Sequence, residues 1–138
     1  MNQTEIYSIV EDLFNEQNIQ VDILRDDLNH PTISGNKFHK LKYNLSNAKR
    51  KGNTTLLTFG GAFSNHILAT AYAGKENNFN TIGIIRGEET LPLNPTLEKA
   101  TELGMELHYI DRATYRIKHT RDYIDFLRNK FGSFYMIP

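Results

Sequence analysis

The sequence contains no cysteine. Disulfides, thiolate catalysis and zinc–thiolate sites are therefore excluded. Net charge is also missing: 16 Lys and Arg balance 16 Asp and Glu. That balance leaves no electrostatic footprint for nucleic acid, and no nucleic-acid partner is expected. The five histidines have neither an H-x3-H nor an H-E-x-x-H spacing, so no metal site is expected. No apolar run approaches the roughly 20 residues that span a bilayer. The segment from Met1 to Leu13 is acidic and amphipathic, with no basic leading region, so a signal peptide is not expected and a cytoplasmic location is. A G-x-G-x-x-G run and a Walker lysine are both absent, so no nucleotide fingerprint is met. Internal repeats and low-complexity stretches are absent too.

What is present suits one soluble α/β domain. The chain has 138 residues, 39% of them hydrophobic and 23% charged, enough for a proper core. Lys49, Arg50 and Lys51 form a short basic run, which fits the C-terminal end of a helix, where the dipole favours cations.

Spacing predicts the elements. Ile6, Ile9, Val10, Leu13 and Phe14 lie on one helical face, predicting a helix over 5–17. Ile19, Val21 and Ile23 alternate, predicting a strand over 20–25. Residues 25–35 are loop-like, broken by Asn29, Pro31 and Gly35. A helix is expected from Lys37 to Lys51, with Asn36 as its N-cap, an apolar stripe of Phe38, Leu41, Leu45 and Ala48, and Gly52 as its stop. Strands are expected over 54–59, 81–86, 106–110 and 133–137. Helices are expected between them: 65–77, a segment opened by Asn94-Pro95 and closed by Gly104, and one long helix capped by Asp111. The order βαβαβαβ from residue 54 onward implies a parallel sheet of about four strands with flanking helices.

Two segments stand out chemically. Both lead into helices, where backbone N–H groups have no intrahelical partner. In Ser34-Gly35-Asn36-Lys37, the lysine falls in the first helical turn, where the dipole disfavours a positive charge. A lysine there is either a surface residue beside Lys40 and Lys42 or an activated amine of the kind that forms Schiff bases. In Phe59-Gly60-Gly61-Ala62-Phe63-Ser64-Asn65-His66, a strand ends, glycines turn, and a helix begins. Anions favour helix N-termini, and ligands favour the carboxyl ends of parallel strands. Simple capping by Ser64 or Asn65 is the competing reading.

Taken in order, Arg25-Asp26-Asp27, Ser34-Gly35-Asn36-Lys37-Phe38-His39-Lys40-Leu41 and Gly60-Gly61-Ala62-Phe63-Ser64-Asn65-His66 resemble one family. It is the 1-aminocyclopropane-1-carboxylate deaminase / D-cysteine desulfhydrase family of fold type II, tryptophan synthase β-like enzymes. The family pattern is R-[ED]-D, then G-N-K-x-R-K-L, then G-G-x-x-S-N-[QH]. His39 departs from its arginine, and Ala62-Phe63 from its usual pair before Ser-Asn.

The resemblance implies pyridoxal 5'-phosphate as cofactor and a small amino acid as substrate. It implies that Lys37 is the Schiff-base lysine and that Asn65 bonds the cofactor's 3-hydroxyl oxygen. Ser64 would contact the substrate and handle a proton or act as nucleophile, and His66 would lie near the substrate carboxylate. Residues 1–53 would be an N-terminal segment of the large domain, and 54–138 the α/β small domain. Members of the family are much longer, and their phosphate loop comes later in the chain. This polypeptide is therefore expected to be a truncated form that binds the cofactor weakly and associates with itself. The alternative is a non-catalytic α/β module that holds an anionic ligand at the 60–66 turn. A subunit that needs a complementary chain is a third reading.

Overall fold

The computed structural model describes residues 4–28, 33 and 35–138. The expectations for Asn29, Pro31, Ser34 and the Phe38 side chain lie outside the described residues.

The sheet rests on runs of apolar residues long enough to bury both faces of a strand. Strands β3 (Thr55–Gly61) and β4 (Asn80–Arg86) are buried along their middles, as expected of central parallel strands. They pair in parallel with each other, and β5 (Met105–Ile110) and β6 (Tyr135–Ile137) flank them in the order β5-β4-β3-β6. Successive residues of β3 serve opposite faces. Leu56 joins a cluster with Leu41 and Ala48 of α2 (Asn36–Arg50) and Ala69 and Ala73 of α3 (Asn65–Glu76). Leu57 and Phe59 turn the other way and pack with Leu127 of α6 (Arg121–Phe131). Ile85 of β4 meets Leu97 and Ala100 of α4 (Pro95–Glu102) together with Ile67 and Ala71 of α3. The result is a three-layer α/β arrangement, as the alternation of elements predicts.

The N-terminal part stands apart from that sheet. Strands β1 (Ile6–Ile9) and β2 (Val21–Leu24) form their own antiparallel pair, with α1 (Asp12–Glu16) between them. The helix expected over 5–17 is thus corrected: its first half is a strand. Ile6, Tyr7 and Ile9 are β-branched or aromatic and have partners in Leu24, Ile23 and Val21. Ser8 Oγ donates to Asp22 Oδ1 across the pair at 2.6 Å. Over so short a segment, a spacing of three and four does not separate helix from strand.

Two further corrections concern helix ends. Gly35, at φ 63°, precedes α2 as its cap residue, and Asn36 is the first helical residue, with no side-chain cap. The long helix after Asp111 is two helices, α5 (Arg112–Arg116) and α6. Asp111 caps the first, accepting from the N–H groups of Ala113 and Thr114 at 2.8 and 2.9 Å. The chain then turns at 117–120, where both the backbone N–H and the hydroxyl of Thr120 donate to the Ile117 carbonyl. A threonine hydroxyl that takes up a backbone acceptor competes with helix continuation. Among the described residues, no helix is long and apolar enough to cross a membrane.

Candidate functional site

The site is built at the carboxyl end of β3. Gly60 lets α3 sit tightly on the strand: a Cβ there would lie 2.5 Å from Ile67 Cγ1 and 3.0 Å from Ser64 Cβ. The turn after it delivers Ser64 as the cap of α3, its Oγ accepting from the His66 N–H at 3.2 Å. The Ser64 hydroxyl proton is left free to point elsewhere. Asn65 is exposed, and its side chain has no partner among the described residues. Phe63, 77% exposed, borders the same turn.

The start of α2 is held by the Arg25-Asp26-Asp27 segment. Arg25 grips Asp27 with two N–H groups at 2.8 and 2.7 Å. The Asp26 carbonyl accepts from the Gly35 N–H at 2.8 Å, and its carboxylate lies 3.2 Å from His39 Nε2. This clamp fixes the first turn of α2, which carries Lys37. The half-buried Lys37 side chain donates from Nζ to Asn36 Oδ1 at 2.8 Å.

His66 is the buried centre of the site, only 9% exposed. Its Nε2 lies 2.9 Å from Thr58 Oγ1, which also lies 3.2 Å from the Ile137 carbonyl. A carbonyl can only accept, so the Thr58 proton goes to Ile137, and Thr58 Oγ1 then accepts from His66 Nε2–H. That fixes the neutral tautomer with the lone pair on Nδ1. Nδ1 is buried and has no partner among the described residues. The pKa of His66 is pushed down to about 4, first by burial and then by the charges of Lys40, Lys37 and Lys118. Lys40 is itself lowered, by burial and by Lys37 and Lys118.

Three ammonium groups therefore act on one buried imidazole. Two come from the first turns of α2, and the third follows α5 on the other face of the sheet. None of the three has a carboxylate partner among the described residues. Uncompensated cations beside a helix N-terminus make a place for an anion.

The sequence singles out Lys37, Ser64, Asn65 and His66; the last three lie together at the start of α3, and the Lys37 charge helps to lower the His66 pKa. The structure adds Lys40, Thr58 and Lys118. Lys118 carries no sequence signal of its own, since its place depends on the turn at 117–120 and on Phe59. Elsewhere, a groove of about 500 Å3 between α2 and α3 is lined by Leu41, Leu45, Tyr72 and Ala73 and runs to Lys49 and Asn77, at the far ends of these helices.

No family model matches the chain. Individual proteins do. An assigned 1-aminocyclopropane-1-carboxylate deaminase of Pyrococcus abyssi is 32% identical over 123 residues, covering 89% of this chain and 37% of its own length. The bifunctional mitochondrial D-cysteine desulfhydrase/1-aminocyclopropane-1-carboxylate deaminase of Arabidopsis thaliana is 34% identical over 98 residues, 67% of this chain and 24% of that one. The crystal structure of an ACC deaminase homologue superposes on the whole of this chain with a TM-score of 0.77 and 29% identity, using 42% of its own length. Over most of its length the chain is similar to proteins of this family. It spans just over a third of the length of the deaminase relative it matches. The fold found here is similar to that of this solved structure along the length of the chain.

Proposed function

We propose that this chain carries the lysine-bearing and carboxylate-binding part of a pyridoxal-phosphate-dependent lyase or deaminase for a small amino acid. One observation carries the reading. Lys37, Lys40 and Lys118 act together on the buried, neutral His66 at the start of α3, with no carboxylate partner among the described residues. A doubly charged phosphate ester and an amino-acid carboxylate both suit that surplus. The donor set fits the cofactor as well: a half-buried lysine in the first turn of α2 and, at the turn into α3, an exposed amide without a partner among the described residues and a free hydroxyl proton.

Pyridoxal phosphate, when bound, supplies the electron sink that labilises bonds at a substrate α-carbon. The chain's own groups do the rest. Lys37 would hold the cofactor through Nζ, and Asn65 would bond it through its side-chain amide. The N-terminal turn of α3 would bind the substrate carboxylate. Ser64, its Oγ already accepting from the His66 N–H, would present its proton to the substrate and take it back. His66 would keep its ring neutral in the pH range where amino acids are handled, adding no charge of its own. The division into a large-domain segment, 1–53, and a small domain, 54–138, is part of the same proposal; α2, within the first segment, packs through Leu41 and Ala48 on Leu56, Ala69 and Ala73 of the second.

The test is titration of the chain with pyridoxal phosphate, followed by borohydride reduction and peptide mapping by mass spectrometry. A pyridoxyl group on Lys37, lost in Lys37→Ala, is the expected result. Labelling spread over surface lysines would overturn the reading. A second reading, a non-catalytic anion-binding module, is favoured by the same cation surplus, since anion binding needs no cofactor. It predicts phosphate binding by a chain that stays colourless with the cofactor.

A further inference from the structure

Lys118 is the member of the cation group that neither the motifs nor the helix start accounts for. It lies beyond α5, in the turn before α6, and its side chain comes back over the end of β3. Its Nζ is 3.2 Å from the Tyr115 hydroxyl, 4.2 Å from the centre of the Tyr115 ring and 5.2 Å from the centre of the Phe59 ring. Those two rings meet edge to face at 6.1 Å. Aromatic faces hold an ammonium in place without neutralising it. The Tyr115 oxygen takes one of its three N–H donors, which leaves two to bond a ligand.

The neighbourhood is cationic on more than one side. Arg86, the last residue of β4, stands opposite Gly61 in the strand register. Its guanidinium lies 5.4 Å from the centre of the same Tyr115 ring. It too lacks a carboxylate partner among the described residues. Tyr115 thus aligns two cations at the rim of the turn that leads to Ser64. A lysine with only a structural task would be expected to pair with an acid or to extend into solvent. Lys118 instead sits on two rings, and its charge, with that of Lys37, helps to lower the pKa values of Lys40 and His66.

We propose that Lys118, caged by Tyr115 and Phe59, is a ligand-binding residue of this site that bonds an oxyanion, carboxylate or phosphate, together with the lysines of α2. This rests on the reading of the site given above and adds to it a cation from the opposite face of the sheet.

The test uses the 138-residue chain and two probes, inorganic phosphate and 1-aminocyclopropane-1-carboxylate, each titrated while amide NMR shifts of Ser64, Asn65 and His66 are followed. Lys118→Met keeps the contact with the rings and removes the charge. It should weaken at least one probe about five- to tenfold, the loss expected for one charge-assisted hydrogen bond. Lys118→Arg should restore most of the affinity, and Lys130→Met, away from the site, should change nothing. Weakening of phosphate alone assigns Lys118 to a phosphate-bearing ligand, and weakening of the amino acid alone assigns it to the substrate carboxylate. Unchanged affinity for both probes in Lys118→Met, or no binding of either by the wild type, overturns the proposal. If the methionine variant loses its native amide spectrum, Lys118→Gln takes its place with the same expectations. Borohydride mapping of Lys37 is independent of these titrations, so failure of the cofactor reading and failure of the Lys118 assignment give different results.

Discussion

The two ends of this chain use the same apolar residue types to opposite effect. In the sheet, Leu57 is 0% exposed and is enclosed by the layer of α6. In the N-terminal pair and its short helix, Val10 is 78% and Leu13 67% exposed, and Ile6, Ile23 and Leu24 are exposed as well. Strands β3 and β4 have a helix layer on each side, whereas the β1-β2 pair is a two-stranded ribbon, which is marginal by itself in water. The difference teaches that the apolar N-terminal side chains are laid out for a surface that the sheet layers do not provide. Apolar side chains are exposed on both faces of the pair, Ile6 and Leu24 on one and Tyr7 and Ile23 on the other.

The largest break in that comparison should come from equal truncations in the two regions. Leu57→Ala empties a closed core and should cost about 2–5 kcal/mol in chemical denaturation. Leu13→Ala should stay within about 0.5 kcal/mol, as surface substitutions do. Comparable losses at both positions would show that the N-terminal part shares the core of the sheet. The same surface predicts self-association. Light scattering should find the wild-type chain larger than a monomer at high concentration, and Leu13→Glu with Val10→Lys should shift it toward the monomer. A wild type that stays monomeric at every concentration would remove the apolar face as the reason.

A somewhat smaller effect should come from His66, a buried and strongly shifted titratable group. Its folded pKa is about 4, against about 6.5 for an unperturbed histidine. Between these values the unfolded chain binds the proton and the folded chain does not. Stability is therefore fully present above about pH 6.5, falls as pH drops toward 4, and levels off below that as far as this group is concerned. The loss over the window should approach about 2–3 kcal/mol. His66→Gln keeps a donor for Thr58 and should flatten this part of the profile. A wild-type His66 that titrates near 6.5 by NMR would place the ring in water and remove the basis for the effect.

The sheet was legible because its signals are local and redundant. Apolar runs such as Leu56-Leu57 and Ile84-Ile85 lie between breakers, and Asn94-Pro95 and Gly104 mark both ends of α4. The N-terminal strand was not legible: Ile6, Ile9 and Val10 satisfy a helical spacing, and only pairing with Val21–Leu24, a long-range contact, selects the strand. The break at 117–120 was missed for a related reason, since a hydroxyl bonding its own backbone leaves no mark on apolar periodicity. At the candidate site, the motifs single out Lys37, Ser64, Asn65 and His66. They do not single out Lys118, because its place depends on Phe59, far away in sequence, and on a turn that the apolar stripe conceals. Contacts made across the sheet are the part of a site that spacing does not carry.

The smallest expected effect separates the two regions by how they open. Asn94 caps α4, its Oδ1 accepting from the N–H groups of Thr96 and Leu97 at 2.9 and 3.2 Å. Its amide also donates to the Ala62 carbonyl at 3.1 Å, tying the cap to the Gly60–Ser64 turn. Asn94→Ala should cost about 1 kcal/mol of global stability. It should also speed amide exchange around Ser64. Glu11 precedes α1 and makes no side-chain cap bond. Glu11→Asp supplies a good cap at that position and should slow amide exchange in α1. Global unfolding should hardly respond, because an element that opens locally adds little to the cooperative transition. A rise in global stability from Glu11→Asp equal to the loss from Asn94→Ala would mean that both regions melt as one unit. The exposed N-terminal face would then be part of a single cooperative structure rather than a surface free to take a partner.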